Sequence, residues 1–221
     1  MKALYFIAAS IALIAVIIGF TVWFEKKRKE ALVEISRMMG FSFSAKEDLN
    51  LIEPAERFRL FKRGHHKRLK NVMQRPSGDV NEILFDYWFT TGGGKNQRVH
   101  RQTICWIRSG RLNLPEFEVH PENIFHKIGQ ALGSKDLNPE RSPEFSRRYR
   151  LRGTEEERVL RLFDPETASF FERNPGWSAA GADKHLFVYR AEKRVKPADL
   201  SRWMDTVRIL ARQMEHKSRY V

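Results

Sequence analysis

Cysteine is nearly absent from this chain of 221 residues, which contains one, Cys105. A single thiol cannot close an internal disulfide, so the sequence does not call for an oxidising compartment. Cys105 lies between Ile104 and Trp106 in an apolar, strand-like run. We therefore expect a buried, unreactive thiol rather than a nucleophile.

Motifs for nucleotide binding and nucleophilic catalysis are also missing. The glycine run that ends at Gly94-Lys95 lacks the earlier glycine of a phosphate-binding loop, since Phe89 stands there, and Asn96 replaces the required Ser or Thr. No G-x-S-x-G elbow and no regular repeat of 20 to 50 residues (the span typical of repeat architectures) occur. The sequence thus assigns no catalytic or metal-ligating residue, and no cofactor is expected.

Charge is absent from the N-terminal stretch between Ala3 and Phe24, which is 22 residues long. A helix of that length spans about 33 Å, enough to cross a hydrocarbon core of about 30 Å. A cleaved signal peptide is the alternative, but its apolar core would be shorter and would end in small residues. Here Glu25 and four cations follow at once, so the sequence predicts a retained single transmembrane helix.

Lysine and arginine are concentrated after this span rather than before it. The cations are Lys26, Lys27, Arg28 and Lys29, against Lys2 and the amino terminus on the other side. The positive-inside rule then predicts a bacterial inner-membrane protein whose soluble domain is cytoplasmic, with a periplasmic domain as the alternative. Residues 25–39 continue as a helical stalk that ends at Gly40. Its apolar stripe predicts packing onto its own domain or, less favoured, a dimer seam.

Acidic residues are scarce beyond the stalk. The net charge is +13 for the chain and +3 for residues 1–40, which leaves +10 for the rest, and no acid occurs between residues 57 and 78. We single out Arg63, Lys67, Arg68 and Lys70 there, with the four cations of the stalk, as contacts to a membrane surface or a partner. An acidic protein partner is one alternative for this run of cations, and a nucleic acid is a less favoured one. The excess charge of the domain as a whole is equally well explained as an aid to solubility.

The remaining pattern predicts an α+β domain over residues 41–221, with an antiparallel sheet of six or seven strands covered on one face by three or four helices. Residues 80–91 and 98–108 are predicted to form a hairpin. Residues 144–152 are predicted to form a strand, 122–132 and 196–217 helices, and Thr154 an N-cap. A lobe boundary is predicted near 133–143.

Two further positions carry candidate chemistry. Alternating acids and a histidine from Glu116 to Glu122 would share one face of a strand, which suggests a metal site, although Pro121 interrupts the pattern and a solvated strand edge is the favoured interpretation. Asp86 is a carboxylate within an apolar strand, and we expect it either to pair with an arginine such as Arg101 or to face solvent.

Three segments resemble those of uncharacterised bacterial single-span membrane proteins: FDYWF at 85–89, LPEFEVHPE at 114–122 and PEFS at 143–146 with YRLRG at 149–153. The resemblance covers most of residues 20–215. That family has no assigned activity, so the resemblance implies a membrane anchor but no catalytic residue.

Two functions remain open from the sequence. The favoured one is a non-enzymatic binding or scaffolding module that uses its basic face. The alternatives are an enzyme at the membrane with its site near Glu116 to Glu122, or a nucleic-acid-binding module that uses residues 57–70. The sequence does not determine the oligomeric state.

Overall fold

The computed structural model describes residues 2–46, 49–123, 136–139 and 141–220. The first element, α1 (Lys2–Met38), joins the predicted span and stalk in one continuous helix. Its N-terminal part is long and apolar enough to cross a membrane, and its described side chains there are exposed, as at Ile14 and Phe20. The sequence prediction of an N-terminal apolar helix is confirmed.

The described residues form an eight-stranded antiparallel sheet, one or two strands larger than predicted. The strands are β1 (Ser42–Ser44), β2 (His65–Ser77), β3 (Val80–Thr91), β4 (Arg98–Ser109), β5 (Leu114–Pro121), β6 (Tyr149–Gly153), β7 (Ser178–Asp183) and β8 (His185–Tyr189). Their order across the sheet is β1-β2-β3-β4-β8-β7-β5-β6. The predicted hairpin is confirmed, with Val80 opposite Ser109 and Thr91 opposite Arg98. The fold class, α+β, is confirmed with it.

The described helices after α1 are short except for the last. They are α2 (Arg59–Lys62), α3 (Pro143–Arg148), α4 (Glu156–Leu162), α5 (Pro165–Arg173) and α6 (Leu200–Lys217). A 3-10 segment, Leu49–Ala55, precedes α2. The predicted helix over residues 122–132 lies mostly outside the described residues, as does much of the lobe boundary near 133–143, which remains a prediction. The strands on either side of that boundary, β5 and β6, pair with each other.

Apolar side chains cover both faces of the sheet, whereas the sequence prediction had covered one. One face packs against α6, α4, α5 and the stalk part of α1, with Leu32 and Leu210 fully buried. The other face packs against the segment from residue 49 to 62, through Phe58 and Phe61, which contact the Phe187 ring at 4.8 and 5.1 Å between centroids. Both faces of the central strands are therefore removed from water, which explains why β3 has apolar side chains on both faces, as at Ile83 and Leu84.

Two local predictions are wrong. The segment predicted as a strand over 144–152 begins as the helix α3 and becomes β6 at Tyr149. Pro143 at the first turn favours a helical start, which the alternation of apolar and basic residues concealed. Thr154 is not the cap of α4, which begins two residues later, after Glu155.

The stalk packs onto its own domain, as favoured from its apolar stripe. Leu32 is 1% exposed, and Ile35 and Met39 pack against the same core. The helix ends at Met38, and Gly40 two residues later has a φ of +72°, the left-handed conformation that glycine adopts without strain. The chain then turns directly into Phe41 and β1, so the stalk is fixed to the sheet at its C-terminal end.

Candidate functional site

The stalk lies across the sheet, and the contacts at its two ends distinguish two ends of the domain. Near its membrane-proximal part, the Arg28 guanidinium donates to both carboxylate oxygens of Asp86 at 2.8 Å. At its other end, the Met39 carbonyl accepts from Arg75, which also pairs with Glu82. The direction from Glu82 to Asp86 along β3 is therefore the same as the direction from Met39 to Arg28 along α1. Both lead towards the apolar span. We call the end of the sheet beyond Asp86 the stalk end.

Strand register brings the predicted basic residues to this stalk end. In β2, Lys70 lies opposite Asp86 and Arg68 opposite Trp88. Lys67 lies nearer the start of β2, and Arg63 lies two residues before the strand. The structure thus gathers the four cations, which the sequence could identify as a run but not place relative to the span.

Further cations that sequence reasoning missed lie at the same end. Arg98 and Arg101 belong to the first part of β4, which pairs with the last part of β3. The loop that follows β8 also turns there, because the Thr103 amide donates to the Lys193 carbonyl at 3.1 Å. This loop adds Arg190, Lys193, Arg194 and Lys196. These residues are far apart in sequence, so no linear charge count could have grouped them.

The Trp88 ring lies at the centre of this basic surface. Lys70 Nζ lies 4.4 Å from the ring centroid, Arg101 Cζ 4.1 Å and Arg194 Cζ 5.7 Å. An indole face attracts cations, and each exposed contact of this kind stabilises the structure by about 0.5–1 kcal/mol. The cations here pack on the ring rather than on a carboxylate. The arrangement holds three positive charges close together at the stalk end.

Carboxylates among these cations are held in ion pairs. Glu25 accepts from Arg194 at 2.8 Å, and Glu192 accepts from Arg98 and lies 3.1 Å from His100 Nδ1. Burial and the nearby positive charge of Arg63 hold the pKa of His100 below its ordinary value, so this imidazole does not add a charge near neutral pH. The net charge of the surface remains strongly positive.

The stalk cations divide into two groups. Lys26, Lys27 and Lys29 are exposed on α1. Arg28 is 11% exposed and also donates to the Val195 carbonyl at 2.7 Å, so its charge is buried and paired inside the fold. Asp86 is indeed paired with an arginine, but with Arg28 rather than the expected Arg101.

The region from Glu116 to Glu122 differs from both sequence interpretations. Its residues up to Pro121 belong to β5, which is flanked by β6 and β7, so they do not lie on an edge strand. His120 is 6% exposed; its ring lies 3.6 Å from Glu118 and 3.4 Å from the Tyr189 hydroxyl. The Arg59 guanidinium lies 3.7 Å from Glu118 and balances its charge.

This cluster leaves little room for a substrate. The cavity beside Glu118 and His120 measures about 30 Å³, which is the volume of one water molecule in the liquid. Burial raises the pKa of the Tyr189 hydroxyl well above its ordinary value, so it stays protonated. Within the described residues, no three His, Cys, Asp or Glu side chains gather as metal ligands would. The cluster has the geometry of a buried, charge-balanced polar contact between strands.

Cys105 is fully buried, as expected, and burial raises the pKa of its thiol well above the ordinary value. The thiolate is therefore scarce at neutral pH, and reagents cannot reach the sulfur in the folded state.

Comparison with known proteins gives one structural likeness. No protein-family model matches the sequence, and no curated protein matches it. The fold is similar to the crystal structure of the mycobacterial trehalose monomycolate transport factor A, TtfA, with a TM-score of 0.58 over 86% of this chain and 92% of that chain. The sequences are 11% identical, so the similarity is one of fold: an α+β domain that the two chains share over most of their lengths.

Proposed function

We propose that this protein is a membrane-anchored, non-enzymatic binding module whose stalk end lies against an anionic membrane surface. The observation that carries the proposal is the convergence of cations from β2, β4, the loop after β8 and α1 at the end of the domain where the apolar helix enters. A transport factor with the same fold is consistent with a binding or scaffolding role. The alternative of an enzyme with its site near Glu116 to Glu122 is less favoured, because the cavity that the described residues form there measures about 30 Å³ and is too small for a substrate.

The lengths of the elements support this placement. Phe24, the last apolar residue of the span, lies about 6 Å beyond Arg28 along α1. Thr91, at the end of β3, lies about 17 Å beyond Asp86 along the strand. Both elements therefore extend from the Arg28–Asp86 contact towards the apolar span, and the β3–β4 hairpin carries Lys95 and Arg98 in that direction.

Electrostatics supports the same orientation. Each well-placed lysine or arginine next to an anionic leaflet contributes up to about 1 kcal/mol, and the attraction decays within a Debye length of about 8–10 Å. Arg28, which docks on Asp86, follows Phe24 by about 6 Å of helix, and this short connection holds the basic surface within that range. The domain needs no large apolar patch for contact, because α1 already supplies the anchorage.

The cytoplasmic side is part of the proposal. The excess of cations directly after the span favours a cytoplasmic domain, and the cytoplasmic leaflet is the one that carries anionic lipid. A reporter enzyme fused at the C-terminus that is active only outside the inner membrane would overturn this side assignment.

The test uses the full chain in nanodiscs of phosphatidylcholine, alone or mixed equally with phosphatidylglycerol. We expect amide hydrogen exchange in residues 63–70 and 92–98 to slow in the anionic discs, and the protection to disappear at high salt. Changing Arg63, Lys67, Arg68 and Lys70 to Glu should abolish the protection. The matched control changes four exposed arginines, Arg147, Arg161 and Arg212 on helices and Arg219 just after α6, to Glu and should retain it.

Two results would contradict the proposal. One is equal exchange in neutral and anionic discs. The other is a cellular phenotype that follows substitution of Glu118 and His120 while the charge reversal at residues 63–70 has no effect, because that pattern is the one an active site near β5 would produce.

A further inference from the structure

A second feature of the stalk end is a pocket between the loop after β8 and the start of α6. Its volume is about 430 Å³. The lining includes two tryptophans and five cations, against one acid: Trp177, Trp203, Arg190, Lys193, Arg194, Lys196, Arg202 and Asp199. That volume falls within the range of small-molecule sites, and the excess of positive charge selects for an anion.

The cations of the pocket are largely uncommitted. Arg194 pairs with Glu25, but the side chains of Lys193, Lys196 and Arg202 form no ion pair or hydrogen bond within the described part of the chain. These three exposed positive charges form the rim of the pocket, whereas the two tryptophans of its lining are buried, with ring centroids 5.8 Å apart.

The pocket is tied to the part of α1 nearest the span. Arg194 contacts Glu25, and the Val195 carbonyl accepts from Arg28. Glu25 directly follows Phe24, the last residue of the apolar run. The headgroup layer is about 5–7 Å thick on each side of the hydrocarbon core. A ligand in the pocket therefore lies next to the headgroups of the leaflet in which α1 is embedded.

From these observations we propose that the pocket binds the phosphate of an anionic phospholipid headgroup. The phosphodiester oxygens accept from Lys193, Lys196 and Arg202, and these cations neutralise the charge. This inference deepens the proposed function, on which it rests, by adding one specific lipid site to a diffuse basic surface.

The test is native mass spectrometry of the full chain released from micelles that contain phosphatidylcholine and phosphatidylglycerol in equal amounts. We expect one phosphatidylglycerol to stay bound and phosphatidylcholine to be lost. Changing Lys193, Lys196 and Arg202 to Gln should lower retention roughly tenfold. Changing the same three residues to Glu should lower it further. Arg147, Arg161 and Arg212 changed to Gln are the control and should leave retention unchanged.

The outcomes separate the two proposals and the two sources of phosphate. Equal retention by the wild type and by both pocket variants overturns the pocket, as does equal retention of both lipids. Displacement of the lipid by glycerol 1-phosphate or inorganic phosphate at low concentration assigns the site to a soluble phosphate and overturns the lipid assignment. Loss of bound lipid in the pocket variants, with hydrogen-exchange protection at residues 63–70 intact, supports both proposals. Lipid retention without that protection supports the pocket alone.

Discussion

The ion pair between Arg28 and Asp86 provides the most informative perturbation. Asp86 is 2% exposed and accepts from Arg28 twice, from Thr103 Oγ1 at 2.7 Å and from Asn71 Nδ2 at 3.0 Å. Changing Arg28 to Met leaves the carboxylate with two neutral donors and without its paired guanidinium, in a site removed from water. Breaking a buried pair in this way typically costs about 3–5 kcal/mol.

The expected loss is large on the scale of the domain. Domains are stable by about 5–15 kcal/mol, and a chain of this size loses about 2–4 °C in Tm per kcal/mol, so Arg28→Met should lower Tm by about 6–20 °C. Adding Asp86→Asn should restore at least half of the loss, since it removes the uncompensated charge. Lys27→Met is the control: Lys27 is exposed, and its substitution should cost about 0.5 kcal/mol or less.

The assay is thermal unfolding of the full chain in detergent, followed by near-ultraviolet circular dichroism, with hydrogen exchange of residues 25–38 in parallel. Because Arg28 joins the stalk to β3 and to the loop after β8, its loss should also speed exchange in the stalk. A destabilisation below about 1 kcal/mol, or a double variant no more stable than Arg28→Met, would refute the reasoning that an uncompensated buried charge holds this junction.

Three other predictions concern the core and its titration. Gly181→Ala places a Cβ 2.5 Å from a ring carbon of Phe117 and should cost about 1–3 kcal/mol in chemical unfolding, whereas Gly93→Ala, which meets nothing within 4 Å, should be neutral. The pKa of His100 is lowered in the folded state, so below about pH 6.5 the proton binds only the unfolded chain and the free energy of unfolding should fall as the pH drops. In His100→Asn this dependence of the unfolding free energy on pH should be shallower, and an unchanged dependence would contradict the role of His100. Cys105 should react with iodoacetamide only on unfolding, so alkylation as fast as that of a free thiol would contradict its burial.

Prediction from sequence succeeded where a local pattern carries the physics. The run Val80–Thr91 and its glycine-rich turn specify a strand and a hairpin by themselves, and the structure confirms both. Prediction failed where two local signals compete. In residues 144–152 the period-two alternation indicated a strand, but Pro143 starts a helix that converts to β6 only at Tyr149. The alternation came from exposed arginines, which carry no information on which face is buried.

Several features of the site depended on contacts between distant residues. The sequence marked Asp86 as an anomaly but could not choose its partner, because Arg28 is 58 positions away and belongs to a different element. The same limit applies to His120, whose burial follows from the placement of β5 between β6 and β7. Strand order across a sheet is a tertiary property that no local window contains.

The sequence by itself determined the apolar helix, the basic character of the domain and the run of cations at residues 57–78, since each is a matter of composition within one short segment. Only the tertiary structure decided that this run, the first part of β4 and the loop after β8 meet at the end where α1 enters. It also decided that Arg28 is withdrawn from that surface into a buried pair. The physical reason is that antiparallel register fixes which ends of the strands coincide, and the docking of Leu32 and Arg28 fixes the direction of the stalk across them.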